Sequence, residues 1–269
     1  MKDIRQTPKY ANHLSNLGWK VENVQGVYIF SKNIPLLGNV LKIQRPEKIT
    51  NSILNSLLKR KRIFNIIIEP KDTKQTTLLK ECGFKISKNP YLPTKTLILN
   101  LDTSKDKLFK NLKKDARYSI NKTKSIKITK TDNLEGFRST WKNAVGLKRH
   151  VPGLTNLLSL NKSFGKYCAF FLAGDKSAGA IFLISDKTAY YWQAFTNKYG
   201  RRSLSQYKVV WEAILWSKTL GAKRLDFEGV YDERFPNKSW VGFSHFKESF
   251  GGKPFKYPGC YTKSRLIKW

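Results

Sequence analysis

The sequence predicts an α/β protein with mixed sheets, built in two parts that meet near residues 92 and 93. Three observations carry that reading. Apolar residues recur with helical spacing in some stretches and with strand spacing in others, and the two kinds of stretch alternate along the chain. Glycine and proline punctuate the joins, as at Gly83, Pro90, Pro93 and Gly221. With 269 residues, 40% of them hydrophobic and 13% aromatic, the chain can bury one large core or two modest ones.

In the first part, residues 8–17 read as a helix opened by proline, and 26–31 and 40–44 as strands. A helix over 49–58 and the strand 64–68, which ends at Glu69-Pro70, follow; Lys74–Glu81 is amphipathic and closed by Gly83. Residues 91–94 form the boundary, because Pro90 and Pro93 hold the chain out of helix and strand alike. The second part opens on a strand at 96–99. Asp102-Thr103-Ser104 then starts a basic helix expected to run through Leu108, Leu112, Tyr118 and Asn121. A short strand at 126–129, helices at 134–145 and 152–163, and three strands at 168–173, 178–184 and 188–195 come next. A long helix over 205–219 stops at Leu220-Gly221, and a buried-type strand (224–227), a short helix and a last strand close the order. That order is the one of a GCN5-related acyltransferase (GNAT) fold.

The net charge is +32, from 51 Lys and Arg against 19 Asp and Glu. Such a field attracts polyanions: nucleic acid, phosphorylated metabolites or an anionic membrane face. Only 12 of the basic residues are arginine, so an AT-rich coding bias accounts equally well for the total. The local bias is harder to dismiss, since residues 103–131 hold ten basic and two acidic side chains. Lys113, Lys114, Arg117 and Lys122 are the candidate RNA contacts there. Cys82, Cys168 and Cys260 lie far apart, and His13, His150 and His245 have no ligand spacing, so neither a metal nor a disulfide framework is expected. No apolar run is long enough to span a bilayer and the N-terminus is polar, which reads as cytoplasmic, with the inner membrane face open as a place of contact.

Lys247 is the first candidate for chemistry. It stands next to Phe246 and three residues before Phe250-Gly251-Gly252, a cation on an apolar base beside a backbone able to approach closely. It can stabilise an oxyanion or neutralise a phosphate, or it can be a lysine snorkelling from an apolar helix. Asp226, at the end of a buried strand, and Glu228 after it could take a proton or orient an amine, or could instead cap or pair with neighbours. Arg149 sits between two helices where a guanidinium could grip phosphate or simply be solvated. Tyr191 reads as either facing a cleft or packed in the core, and Tyr207 as either near a ligand at a helix start or as an apolar cap. Lys42 and Arg45, at a strand exit in the first part, could hold a diphosphate or be solvated.

Several motifs occur in one order: Pro93-Thr94-Lys95-Thr96, residues 113–122, Tyr190-Tyr191-Trp192-Gln193-Ala194, Trp211-Glu212-Ala213-Ile214, residues 221–229, and Phe246 to Gly252 followed by Tyr257-Pro258-Gly259. The ordered set resembles the FemABX family of peptidoglycan interpeptide-bridge transferases, well over about residues 93–261 and loosely before. The resemblance implies two GNAT-like domains, 1–92 (reduced) and 93–269, and transfer of an amino acid from aminoacyl-tRNA to the peptide amine of a nucleotide- or lipid-linked muramyl-peptide precursor. No cofactor is implied. Phe246 and Lys247 match the family's Phe-Lys pair, whose lysine supports the reacting ester. The chain is shorter than longer members, its first domain is trimmed, and no helical-hairpin insertion is evident.

Two rivals stay open. An acetyl-CoA-dependent acetyltransferase of GNAT or BioF2-like type would clasp pyrophosphate with backbone amides before the long helix, but Arg202 stands where a small residue is wanted. A non-enzymatic RNA-binding module explains the charge and leaves the Phe-Lys and Gly-Gly region without a role.

Overall fold

The computed structural model describes residues 2–264. They form two compact units, one made of residues 2–95, 232–236 and 256–264, the other of Thr96–Tyr231 and Asn237–Phe255. This differs from the expected division into 1–92 and 93–269, because two later segments return to the first unit.

In the first unit Thr7 caps helix α1 (Pro8–Asn16), with proline at the first position, where a missing N–H costs nothing. Strand β1 (Lys20–Val24) was not expected, since Lys, Glu and Asn fill three of its five places. It is an edge strand joined to β2 (Val27–Ile34) by Gln25-Gly26, both at positive φ, as a two-residue hairpin requires. Strand β3 (Gly38–Gln44) pairs antiparallel with β2 and parallel with β4 (Ile63–Glu69), and helix α2 (Asn51–Leu58) makes the crossover. Helix α3 (Lys74–Glu81) leads to the short β5 (Lys85–Ile86). Between β4 and β5 lies a strand from far down the chain, Tyr261–Ser264, antiparallel to both. The core is aliphatic, with Ile29, Leu41, Ile43, Leu54, Ile66 and Ile68 buried between sheet and helices.

In the second unit the expected single basic helix is two, α4 (Lys105–Lys110) and α5 (Lys114–Lys122), after strand β6 (Lys95–Asn100). The break at Asn111–Lys113 buries Leu112, and Arg117 donates to the carbonyls of Lys110 and Leu112 that end α4. Strand β7 (Ile128–Lys130), helices α6 (Leu134–Val145) and α7 (Leu154–Phe164), and strands β8 (Cys168–Ala173), β9 (Ala178–Ser185) and β10 (Thr188–Thr196) follow as expected in kind. The segment carrying Arg202 before the long helix is itself helix α8 (Lys198–Ser203), capped by Asn197. Leu204, at φ +63°, then turns the chain into α9 (Ser205–Thr219). After β11 (Arg224–Asp226) come α10 (Val241–Glu248) and β12 (Lys253–Lys256). The strands lie in the order β12-β6-β11-β10-β9-β8-β7, with β10 and β11 parallel. Gly252 is required where it stands: φ is +100°, and a Cβ would come within 3.1 Å of the Ile98 backbone.

Candidate functional site

The site grows from the point where two parallel strands part. β10 and β11 pair only from Thr188–Arg224 to Tyr190–Asp226, after which β10 runs on to Thr196 and the other strand turns away. Carbonyls beyond that point lose their ladder partners and need other donors. Lys247, reaching in from α10, supplies them: its Nζ donates to Phe227 O at 2.7 Å and Gly229 O at 2.6 Å. The turn between is strained, with Glu228 at φ +59°. Asp226 holds it. Its Oδ1 accepts from the Glu228 amide at 2.7 Å and from the Thr96 hydroxyl.

The Lys247 ammonium also lies 5.4 Å from the centroid of the Tyr191 ring and 5.0 Å from that of Phe243. Burial pushes its pKa down to about 8, with Glu228 and Asp226 acting in the opposite direction and Arg149 adding to the depression. It therefore stays mostly protonated at pH 7 while being far easier to neutralise than an exposed lysine. Two of its three hydrogens go to the carbonyls, and among the described residues no acceptor takes the third.

Around this lysine stands an aromatic wall. Phe246, one residue before it, meets Tyr207 at 4.7 Å and Phe250 at 5.4 Å between ring centroids, and Tyr207 stacks on Phe250 at 5.7 Å. Burial raises the Tyr207 pKa, partly offset by a hydrogen bond with Ser249. Tyr191 is buried, and its hydroxyl accepts from Gln206 Nε2 at 2.8 Å; burial raises its pKa as well. The exposed Arg149 makes its charge felt at both Tyr191 and Lys247. The basic helix α5 meets the same region through its start, where the Lys113 amide donates to Ser249 O at 2.9 Å. Lys113 and Lys114 are exposed at that start and Lys122 at the far end of the helix.

Lys247, Phe246, Tyr191, Tyr207 and Arg149 are thus brought together, and four sequence expectations need correcting. Asp226 is 0% exposed and hydrogen-bonded into the turn, so it shapes the site instead of meeting an incoming amine; the partly exposed Glu228 is the carboxylate nearer the surface. Arg117 is engaged with the end of α4 and does not project as a free RNA contact. Arg45, in the first unit, is 1% exposed: it pairs with Asp3 at 3.2 Å, donates to Pro93 O at 2.8 Å and lies 3.6 Å from the Tyr257 ring centroid. It is a structural cation, not an exposed diphosphate ligand. Arg202 is exposed on α8 and obstructs nothing; what stands against a pyrophosphate clasp is the helix, in which the amides of Gly200 and Arg201 are bonded to Asn197 and that of Leu204 to Gly200 O.

Lys42, also in the first unit, lies 4.0 Å from the Trp19 ring centroid, and burial brings its pKa down to about 8. The roles of Thr96 and Gln206, which fix Asp226 and Tyr191, escaped sequence reasoning, although Thr96 stood in one of the ordered motifs. Thr96 had one signal, a polar residue opening an otherwise apolar strand. Among the described residues, no group of three or more His, Cys, Asp or Glu side chains gathers that could hold a metal.

No family model and no curated protein sequence matches the chain. Solved structures match its fold. FemX superposes with a TM-score of 0.78 at 17% identity, over 98% of this chain and 92% of that one. The C-terminal DUF2156 domain of an Agrobacterium fabrum protein named as a lysylphosphatidylglycerol synthetase gives 0.64 at 11% identity, over 96% and 88%. A tandem GNAT protein from the clavulanic acid biosynthesis pathway gives 0.54 at 8%, over 88% and 78%. The chain therefore has a mixed α/β, GNAT-like fold of the FemX kind.

Proposed function

We propose that this protein is an aminoacyltransferase that moves an amino acid from aminoacyl-tRNA to the peptide amine of a peptidoglycan precursor. The observation that carries the reading is Lys247, a protonatable amine held by two carbonyls at the parting of β10 and β11, with aromatic rings on one side and the start of a basic helix beside them. Aminolysis of an ester needs no protein nucleophile. A neutral acceptor amine attacks the ester carbon, negative charge grows on the carbonyl oxygen, and collapse of the intermediate expels the ribose oxygen, which takes up a proton. The remaining ammonium hydrogen of Lys247 suits that oxyanion or a neighbouring phosphate. Tyr207 and Phe246 offer a surface on which a terminal base can stack, and Lys113, Lys114 and Lys122 suit the phosphates leading away. The likeness to FemX, and to a domain named for lysyl transfer, supports this assignment.

The second reading, acetyl transfer from acetyl-CoA, draws support from the tandem GNAT neighbour. The engaged amides of α8 speak against it. Titration calorimetry decides: charged tRNA should bind, whereas acetyl-CoA should give no heat up to about millimolar concentration, where binding would amount to only about −4 kcal/mol. Saturable acetyl-CoA binding with none of charged tRNA would reverse the choice.

A further inference from the structure

The first unit carries a surface that the transfer reaction does not use. Strands β2 and β3 are joined by Pro35-Leu36-Leu37, and the apolar side chains of this hairpin tip stand in solvent: Leu36 is 84% exposed, Leu37 45% and Ile34, at the end of β2, 37%. Leu36 also holds φ +65°, a conformation in which Gly, Asn or Asp is easily accommodated and leucine is not. Both the turn and the water around it would be better served by a polar residue. A leucine that fails on both counts needs another environment to account for it.

The same end of the sheet is cationic. The run Lys59-Arg60-Lys61-Arg62 enters β4 beside the hairpin, and the Asn39 amide donates to Arg62 O at 2.8 Å. Lys59, Lys61 and Arg62 are exposed, while Arg60 is engaged with Glu22 at 2.9 Å and Lys32, on β2, donates to Leu17 O at 3.5 Å and lies 5.6 Å from the Trp19 ring centroid. We infer that the β2–β3 hairpin tip is a membrane-docking element, in which Leu36, Leu37 and Ile34 enter the acyl boundary of an anionic lipid surface and Lys59, Lys61 and Arg62 meet its headgroups. Nucleic acid would use the cations but has no place for three aliphatic side chains, since its recognition surfaces favour aromatic or guanidinium planes. Lipid uses both. Each basic residue near an anionic surface strengthens binding by about fivefold, and insertion of a leucine adds about tenfold or more. Among the described residues no helix is long and apolar enough to cross a membrane; the inferred contact is a hairpin tip at the interface.

The test is co-sedimentation with vesicles of phosphatidylcholine alone and of phosphatidylcholine mixed with phosphatidylglycerol. The intact chain should bind the mixed vesicles, weaken with added salt, and bind the neutral ones far less. Leu36→Ser with Leu37→Ser should lower binding by about a hundredfold, with the thermal transition unchanged because both side chains are exposed. Lys59→Glu, Lys61→Glu and Arg62→Glu together should do the same. A Leu36→Trp chain gives a check independent of loss: its emission should shift to the blue on the mixed vesicles and be quenched by brominated acyl chains. Absence of vesicle binding overturns the inference, as does binding that survives both sets of substitutions. It is equally overturned if charge reversal removes only RNA binding, or if the leucine substitutions only split a dimer in light scattering.

Discussion

Lys247 should make stability and activity move in opposite directions as pH rises. Its folded pKa is about 8 against 10.5 for a free lysine, so below pH 8 both folded and unfolded chains hold the proton and stability does not respond to it. Between these values the unfolded chain keeps the proton that the folded one has lost, so the contribution to stability rises with pH, at about 1.4 kcal/mol per unit. The whole rise is about 3 kcal/mol and is complete above pH 10.5. Transfer needs the ammonium, so its rate per neutral acceptor amine should fall over the same range. Lys42, with a pKa near 8, adds a similar stability term. A Lys247→Met chain isolates the first: it leaves the carbonyls of Phe227 and Gly229 without their donor at every pH, a constant that cancels when slopes are compared. Calorimetric unfolding at a series of pH values, on the intact and substituted chains, should show the stability difference growing between pH 8 and 10.5. Transfer by the Met chain should drop about a hundredfold to a thousandfold, the effect of losing one oxyanion donor. A stability difference that stays flat with pH would refute the buried, perturbed ammonium.

Three further outcomes follow from the corrected assignments. Lys113→Glu, Lys114→Glu and Lys122→Glu together should flatten the salt dependence of charged-tRNA binding by about 0.7 to 0.9 in log–log slope per lost phosphate contact, measured by filter retention; Arg117→Ala should instead lower the thermal midpoint with little change in that slope. Arg45→Ala should destabilise the fold by about 1–3 kcal/mol in a urea titration, because it removes one of the two guanidinium partners of the buried Asp3 while Arg5 keeps the other at 3.2 Å, and a stable chain with weakened acceptor binding would restore Arg45 as a ligand. Thr96→Val should weaken the turn that serves Lys247 and cost about 1–3 kcal/mol, while Thr96→Ser should recover most of it, both read by scanning fluorimetry.

Periodicity made most of the second unit legible, because its strands are long apolar runs and α9 has a clear start and stop. It failed where tertiary bonds overrule local pattern. Nothing in the sequence of the basic segment marks the break before Lys113; the break exists because Leu112 is buried and Arg117 can serve the carbonyls of α4. Lys20–Val24 is too polar to read as a strand by itself, although Gln25-Gly26 before an apolar run was a usable hairpin signal. Lys247 drew attention in the sequence because it stands between Phe246 and Phe250-Gly251-Gly252, a pattern that a snorkelling lysine fits as well, and nothing local marked the carbonyls of Phe227 and Gly229 as its partners. Asp226 and Arg45 were misread for a shared reason: a charged residue at a strand end looks alike in sequence whether it faces water or is enclosed by partners from distant segments. Arg45 is enclosed by Asp3, Pro93 and Tyr257, none of which is local to it.

The strand Tyr261–Ser264, inserted between β4 and β5, sets the order in which the chain can be finished. Ser264 bonds to Asn65 across a separation of 199 residues, so the ribosome must have made everything between them before the first sheet can close. Until then β4 offers an open edge of Ile66, Ile67 and Ile68 to any other nascent chain, the kind of template on which aggregates start. The second unit's sheet, by contrast, forms largely from hairpins emerging in sequence. Vectorial synthesis should therefore leave the early half waiting on the late one, making it the slow and chaperone-dependent part of the molecule. Clipping the chain anywhere before Tyr261 should unravel the unit that was translated first.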